Sequence, residues 1–309
     1  MIRVLGANPA MDRTHTIDSL VLGEVNRVHL TKSFAGGKGL DVARTLRHLG
    51  VSVAAYGFLG GEIGRSIRAT CLAAGIEDKH TEICDETRVC NIYIENNEKR
   101  FTVINEQGPN VTLKEQEQLV QTLLADVEDG DFVVLSGSVP KGVPSNFYGE
   151  IIRALEGKEV FTIVDATGNL LKDAIEAKPW MIKPNIHEFK EVYPNVTSES
   201  KLFEQLESVI ENGVSNVVVT LGERGCLATN RESAFYVRVP KVESVNPIAS
   251  GDTFVGGFIA KYGATGDFKT SVRYASACAV ANAMNLMPEI PNNLDLNGLA
   301  ESTMVEIAG

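Results

Sequence analysis

The sequence predicts an α/β protein: a doubly wound, mostly parallel sheet with helices on both faces, plus a small β-sheet lid. Three observations carry that expectation. From Thr112 onward, short apolar strands alternate with amphipathic segments of helix length, the rhythm of βα units whose crossovers cover both faces of a sheet. Polar residues and glycines recur directly after strands, at Asp12, Ser136-Gly137, Asp165, Asn185 with Glu188, and Gly222 with Gly225. In a parallel sheet those strand ends share one edge, and ligands bind there. Two other stretches, about 13–33 and 77–105, alternate apolar and polar residues, as in a sheet with one wet face.

In chain order, Ile2 to Leu5 reads as a buried strand that ends at Gly6-Ala7-Asn8-Pro9-Ala10-Met11-Asp12. Thr14 to Ser33 alternates and leaves the main sheet. Phe34-Ala35-Gly36-Gly37-Lys38-Gly39 then opens an amphipathic helix ending near Gly50. Ser52 to Leu59 is a strand, and Gly60-Gly61 opens a helix through about Ala74. Glu77 to Ile83, Val89 to Glu95 and Arg100 to Ile104 read as short strands that join residues 13–33 in the lid, inserted in a single domain spanning 1–309. A one-sided sheet must bury its apolar face, over a cleft or against another subunit. Helices are expected at about 112–127, 145–156, 199–212 and 268–285. Strands are expected at Phe132–Leu135, Val160–Val164, Trp180–Ile182, Val217–Leu221, Cys226–Thr229 and Ala234–Val239.

Composition narrows the function. The 309 residues are 44% hydrophobic and 22% charged, which suits a globular protein with a sizeable core. A net charge of −11 argues against nucleic acid or an anionic membrane as partner. It leaves room for a local basic pocket. The five cysteines are scattered without a Cys-x-x-Cys pair, so neither a disulfide framework nor a zinc site is indicated. The N-terminus reads as a strand rather than a signal peptide, and no apolar run reaches transmembrane length. A cytoplasmic enzyme is the expectation. No clean GxGxxG follows the first strand, which disfavours a nicotinamide-dependent oxidoreductase.

The stretch Val245 to Phe258 concentrates the chemistry. A Pro-containing turn ends at Ala249-Ser250-Gly251, Asp252 follows, and an apolar run begins. A helix start leaves backbone N–H groups unpaired at the positive end of its dipole, a ready anion site. A carboxylate beside that anion can accept a proton from an attacking hydroxyl. The competing reading is that Ser250 or Asp252 only caps a buried helix. Lys38 sits in a glycine turn where its amine could meet an anion. That turn is not a Walker A loop, because no Ser or Thr follows the Gly-Lys pair.

Six motifs in order then resemble the PfkB/ribokinase family of carbohydrate kinases: Asn8-Pro9-Ala10-Met11-Asp12, Gly36-Gly37-Lys38-Gly39, Ser136-Gly137-Ser138-Val139-Pro140, Lys183-Pro184-Asn185-Ile186-His187-Glu188, Gly222-Glu223-Arg224-Gly225 and Ala249-Ser250-Gly251-Asp252. The chain looks most like the branch of 1-phosphofructokinases and tagatose-6-phosphate kinases. The resemblance implies a ribokinase-like sheet with a β-lid that also forms a dimer clasp. It implies ATP-dependent phosphorylation of a ketohexose phosphate, tagatose 6-phosphate or fructose 1-phosphate, to a bisphosphate. It implies Asp252 as the base, with the N–H groups of Ala249, Ser250, Gly251 and Asp252 as the anion hole. Asp12, Gly36 and Gly37 would hold sugar hydroxyls, with Asp41 nearby. Lys38, Arg88 and Arg27 would hold the phosphate already on the sugar. Lys183, Asn185, Thr220, Gly222 and Gly225 would line the nucleotide, and Asn185 with Glu188 would place Mg2+. Two departures stand out: Ala249 replaces the usual glycine, and Asp41 replaces the usual asparagine. They motivate the alternative of a weakly catalytic sugar-phosphate-binding regulator on the same fold.

Overall fold

The computed structural model describes residues 1–98 and 100–308. The first third of the chain forms β1 (Ile2–Leu5), β2 (Ala10–Ile17), β3 (Leu30–Gly36), α1 (Lys38–His48), β4 (Val53–Tyr56), β5 (Phe58–Leu59), α2 (Gly61–Ala73), β6 (Glu77–Asp78), β7 (Thr81–Glu82), β8 (Arg88–Glu95) and β9 (Arg100–Asn105). Next come α3 (Leu113–Asp126), β10 (Phe132–Ser136), α4 (Phe147–Ala154), β11 (Phe161–Asp165), α5 (Gly168–Glu176), β12 (Met181–Ile182), α6 (Ile186–Val192), α7 (Glu199–Glu211) and β13 (Asn216–Thr220). The chain ends with β14 (Cys226–Asn230), β15 (Ala234–Arg238), α8 (Ser250–Thr265), α9 (Phe268–Ala283), α10 (Leu296–Glu301) and β16 (Met304–Ile307).

Ten strands make the main sheet, in the order β16-β15-β14-β13-β12-β11-β10-β1-β4-β6. Pairing is parallel from β6 to β13 and antiparallel from β13 to β16. The strands are short, and those at the centre are buried on both faces, as parallel strands covered by helices must be. One apolar layer joins the sheet to α3, α4, α5, α6 and α7. The other joins it to α1, α2, α8 and α9. From β1 the chain steps outward to β4 and later returns on the other side of β1 as β10. The crevice between the ends of β1 and β10 is therefore a topological switch point.

The lid is the separate sheet β3-β2-β8-β9. Its boundary differs from the expected one. Glu77–Asp78 pairs with β4 at the edge of the main sheet, and Thr81–Glu82 pairs with β5. These short strands offer too few alternating positions to show from sequence which sheet they extend. Register and alternation put Asp12, Cys90, Ile92, Val103 and Asn105 on the lid face toward the switch point. That face continues into Leu30 and Phe101, which remain 45% and 49% exposed. The helix α10 and strand β16 were not expected. Their apolar patterning is short, and β16 is held as an edge strand by β15. Among the described residues no helix is long and apolar enough to cross a membrane.

Candidate active site

A cleft of about 360 Å³ opens at the switch point between the main sheet and the lid. Asp12 and Arg88 come from the lid strands, Lys38 and Asp41 from α1, Ser136 from β10, and Ala249 and Asp252 from the start of α8. The sheet supplies the floor by simple register. Ser136 pairs with Asp165, and Lys183 continues the same row one strand on. Two residues back along each strand, Val134, Ile163 and Met181 all lie in the layer beneath α8 and α9. The period of two therefore aims Ser136, Asp165 and Lys183 at the α8 side.

Four charges meet on that floor. Lys38 Nζ donates to Asp165 Oδ1 at 2.9 Å and to Glu188 Oε1 at 3.0 Å. Lys183, only 2% exposed, pairs with Asp165 Oδ2 at 3.0 Å. Burial by itself raises the Asp165 pKa, but Lys183 and Lys38 outweigh it and hold the carboxyl below its ordinary value. Burial lowers the Lys38 pKa, yet Asp165, Asp252 and Glu188 together raise it, so its ammonium stays charged. Asn185 and Glu188 form a reciprocal cap at the start of α6. Asn185 Oδ1 accepts from His187 N and Glu188 N, and Glu188 Oε2 accepts from Asn185 N at 2.8 Å. The capping box fixes the Glu188 carboxylate in place with one oxygen left for Lys38.

The α8 start departs from a simple cap. Ala249 adopts φ 61° and ψ 6°, the left-handed region that resists a side chain. Holding a non-glycine there costs about 1–2 kcal/mol. Alanine thus keeps the turn that glycine would give, at a cost. Ser250 N donates to Pro247 O and Asp252 N to Ala249 O, so these two groups are engaged within the turn. The Gly251 N–H has no backbone acceptor among the described residues. Lys183 Nζ lies 3.2 Å from where a Cβ on Gly251 would stand, so a buried cation sits close beside Gly251. Asp252 is buried and its Oδ1 has no hydrogen-bond partner. Burial, then Asp41 and Asp165, push its pKa well above the ordinary carboxylate range, against Lys38 and Lys183.

The opposite wall is also anionic. Burial and the nearby Asp41 push Asp12 up to about 7, against Arg88, Arg44 and the Gly37 N–H. Gly36 has to be glycine, because a Cβ there would stand 2.1 Å from Asp12 Oδ2. Asp41 is buried and paired with Arg44, which also donates to Ala35 O and Pro288 O and lies over the Phe34 ring. Arg88 donates to Asn8 O and Glu106 O. Among the described residues, three buried side-chain atoms have no partner of any kind, Asn8 Oδ1, Ser136 Oγ and Asp252 Oδ1, while a fourth, Asp165 Oδ2, has only its ion pair with Lys183. All belong to the cleft or its floor.

Most residues singled out from the sequence come together here. Asp12, Gly37, Lys38, Asp41, Arg88, Ala249 and Asp252 line the cleft, with Gly36 against Asp12 and Ser250 and Gly251 in the α8 turn. Asn185 sits beside Thr220 on the neighbouring strand end, and the Gly222–Gly225 turn follows. Arg27 is the exception: it is exposed in the segment between β2 and β3, outside the cleft lining. Lys38 is bound by two carboxylates rather than standing free for a sugar phosphate. Asp165 was visible as an acid at a strand end, but its salt bridges depend on a residue 127 positions away. Ser136 and Asn8 stand out in the sequence as strand-end or motif residues but without a site role, and Asn282 is not singled out at all. A lone Asn in the apolar run of α9 was the one available signal for the last.

Comparison with known proteins bears on this geometry. Residues 3–286 match the model of the pfkB family carbohydrate kinases. The tagatose-6-phosphate kinase of two Staphylococcus epidermidis strains is 35% identical over 288 residues, covering 92% of each chain. Phosphofructokinase-2 from Escherichia coli, solved with substrates and products, superposes with a TM-score of 0.91 at 24% identity, covering 97% of this chain and 98% of that one. Ribokinase from Thermotoga maritima superposes at 0.79 with 20% identity, covering 97% and 99%. The last two share the fold. With the family model spanning nearly all of the sheet and the whole of the cleft, this chain belongs to the pfkB family of carbohydrate kinases.

Proposed function

We propose that this protein transfers the terminal phosphoryl group of ATP to a ketohexose phosphate, giving a bisphosphate, with Asp252 as general base. One observation carries the reading: a buried carboxylate oxygen with no partner, in the first turn of a helix and facing a cleft. Leaving such an atom unpaired costs about 1–3 kcal/mol, a cost the substrate hydroxyl would remove. The attacking hydroxyl gives its proton to Asp252 as its oxygen bonds phosphorus and the bond to the ADP leaving group breaks. The free Gly251 N–H and the Lys183 ammonium close to Gly251 stabilise the charge that develops on the phosphoryl group. The raised Asp252 pKa makes it a stronger base than an ordinary carboxylate.

The other roles follow from position. Asp12 and the backbone at Gly36-Gly37 hold sugar hydroxyls, and Arg88 faces the phosphate already present. Asp41 is paired with Arg44, which weakens its repulsion of that phosphate. Thr220, Gly222 and Gly225 line the nucleotide beside Asn185. Mg2+ would neutralise the ATP phosphates. Among the described residues no cluster of three His, Cys, Asp or Glu forms a metal cage, which suits an ion that keeps its waters and takes one or two carboxylates. Glu188 is the residue to hold it, through water. The apolar lid face beyond the cleft, with Leu30, Phe101 and Val103 exposed, supports a homodimer in which a second copy covers it. The chain would work as one domain with the lid inserted.

The two features that favoured a mere regulator lose their force, since Ala249 keeps the left-handed turn and Asp41 is paired. The relatives named tagatose-6-phosphate kinase put tagatose 6-phosphate first. The test is ADP release with ATP and Mg2+ over tagatose 6-phosphate, fructose 1-phosphate, fructose 6-phosphate and the free sugars. Turnover of a phosphorylated ketohexose, highest for tagatose 6-phosphate, is expected. No turnover on any of them, with sugar-phosphate binding still seen by calorimetry, would overturn the reading.

A further inference from the structure

Helices α8 and α9 form a hairpin closed by a left-handed Gly266 cap. Gly257 lets them pack closely, because a Cβ there would stand 2.7 Å from Cys278 Sγ. The hairpin brings the C-terminal end of α9 to the N-terminal start of α8. There Asn282, 0% exposed, donates from Nδ2 to Ile248 O at 2.7 Å and to Ser250 Oγ at 3.1 Å. Its Oδ1 accepts from Thr253 Oγ at 3.3 Å, which decides which way the amide faces. Just beyond, Ala283 O accepts from Val245 N and Asn246 N, and Asn246 Nδ2 donates to Leu286 O. The turn before α8 is thus fastened to α9 rather than to the sheet.

We propose that Asn282 is a positioning residue that holds Ala249 in its left-handed conformation and so aims the Gly251 N–H and Asp252. The two atoms it grips flank Ala249 on either side. An alanine at φ 61° relaxes toward the ordinary regions unless its neighbours are fixed, and sites of this kind persist only where surrounding structure over-determines them. Asn282 does not itself line the cleft and reaches it only through Ile248 O, on the side away from the sugar wall built from β2, β8 and α1. Its loss therefore acts on the transfer step and not on sugar-phosphate binding. The inference rests on the kinase reading given above.

The experiment measures kcat, sugar-phosphate KM and Tm for wild type, Asn282→Ala, the double variant Asn282→Ala with Ala249→Gly, Thr253→Val and Thr253→Ser. Asn282→Ala should lower kcat by ~10–100-fold, the scale of a small misplacement of reacting groups, with KM within about twofold. Glycine at 249 takes the left-handed turn without strain, so the double variant should recover much of that loss. Thr253→Val frees the amide to rotate and should lower kcat by a smaller factor, restored by Thr253→Ser. The Thr253 pair decides the matter should Asn282→Ala fail to fold. A lowered Tm with unchanged kcat, or no recovery from glycine at 249, would overturn the proposal. Absence of turnover in wild type would instead remove the kinase reading itself.

Discussion

The same strands carry a buried charge cluster at each of their two ends, and the two clusters differ in one respect. At the N-terminal edge, Arg3 Nε donates to Asp131 Oδ2 at 2.7 Å, and the Met1 ammonium and Glu128 N reach the same carboxylate. Arg3 Nη1 donates to Tyr56 OH, which donates to Asp126, itself paired with Lys79. Among the described residues, none at this edge leaves a buried side-chain atom unpartnered. At the C-terminal edge, Asp165, Lys38, Lys183 and Glu188 are as tightly paired, yet Asp252 Oδ1, Ser136 Oγ and Asn8 Oδ1 are buried without a hydrogen bond. Burial and ion pairing are common to both. Unspent polar atoms facing a cleft mark the end that is completed by something the chain does not contain.

The sharpest test of that contrast exchanges the two aspartates. Asp252→Asn should lower kcat by ~10²–10⁴-fold, the usual contribution of a general base, with little change in sugar-phosphate KM. Its Tm should hold or rise, because a buried carboxylate whose pKa is raised by burial opposes folding where it is ionised. Retained turnover in this variant would remove Asp252 as the base. Asp131→Asn should do the reverse, costing about 3–5 kcal/mol in a urea titration by leaving Arg3 buried without its charged partner, with kcat of the folded enzyme unchanged. Burial raises the Asp131 pKa, but bonds from the Met1 ammonium, Glu128 N and Arg3 lower it below its ordinary value. The stability it lends is therefore present above the unfolded carboxylate pKa and lost as pH falls through the lower folded one. A kcat defect in Asp131→Asn would blur the distinction between the two edges.

The smallest expected effect concerns Asp41, which raises the pKa of both Asp252 and Asp12. The base works only when ionised, so kcat should rise with pH through the raised Asp252 pKa. Asp41→Asn removes a like charge and should move that acid limb to lower pH, leaving kcat on the plateau within about threefold, the effect of a charge that does not touch the reacting atoms. A profile that does not move would show that Arg44 already cancels the Asp41 charge.

Much of this molecule was legible as one-dimensional pattern. The βα rhythm, the polar residues at strand ends and the glycine turns each reflect local geometry, a period of two or 3.6 residues and a tight turn. They were enough to place Asp252 at a helix start, Asp12 at a strand end and Lys38 in a glycine turn, whereas Arg88 was singled out by the family resemblance. The short strands at Glu77 and Thr81 could not be assigned, because two residues carry no period. Arg27 lies in an exposed segment outside the cleft lining, and no short-range pattern says where such a segment points. Lys38 shows the limit most clearly: a lysine in a glycine turn announces an anion partner, but not that the partners are Asp165 and Glu188 on two other strand ends.

Fold class, family resemblance and the residue types available at the sheet edge can all be read along the chain, since they rest on local periodicity and on motifs a few residues long. Which of those charges pair with one another, and which atoms stay unpaired, was settled by folding. It also decided that Asn282, 33 positions from Ala249 in the chain, closes around the turn that carries Asp252. Those outcomes depend on distances across strands and between helices, and on burial that shifts Asp252 and Asp12 upward while leaving Asp165 charged. Such quantities come into being only when the chain has folded and water has been excluded.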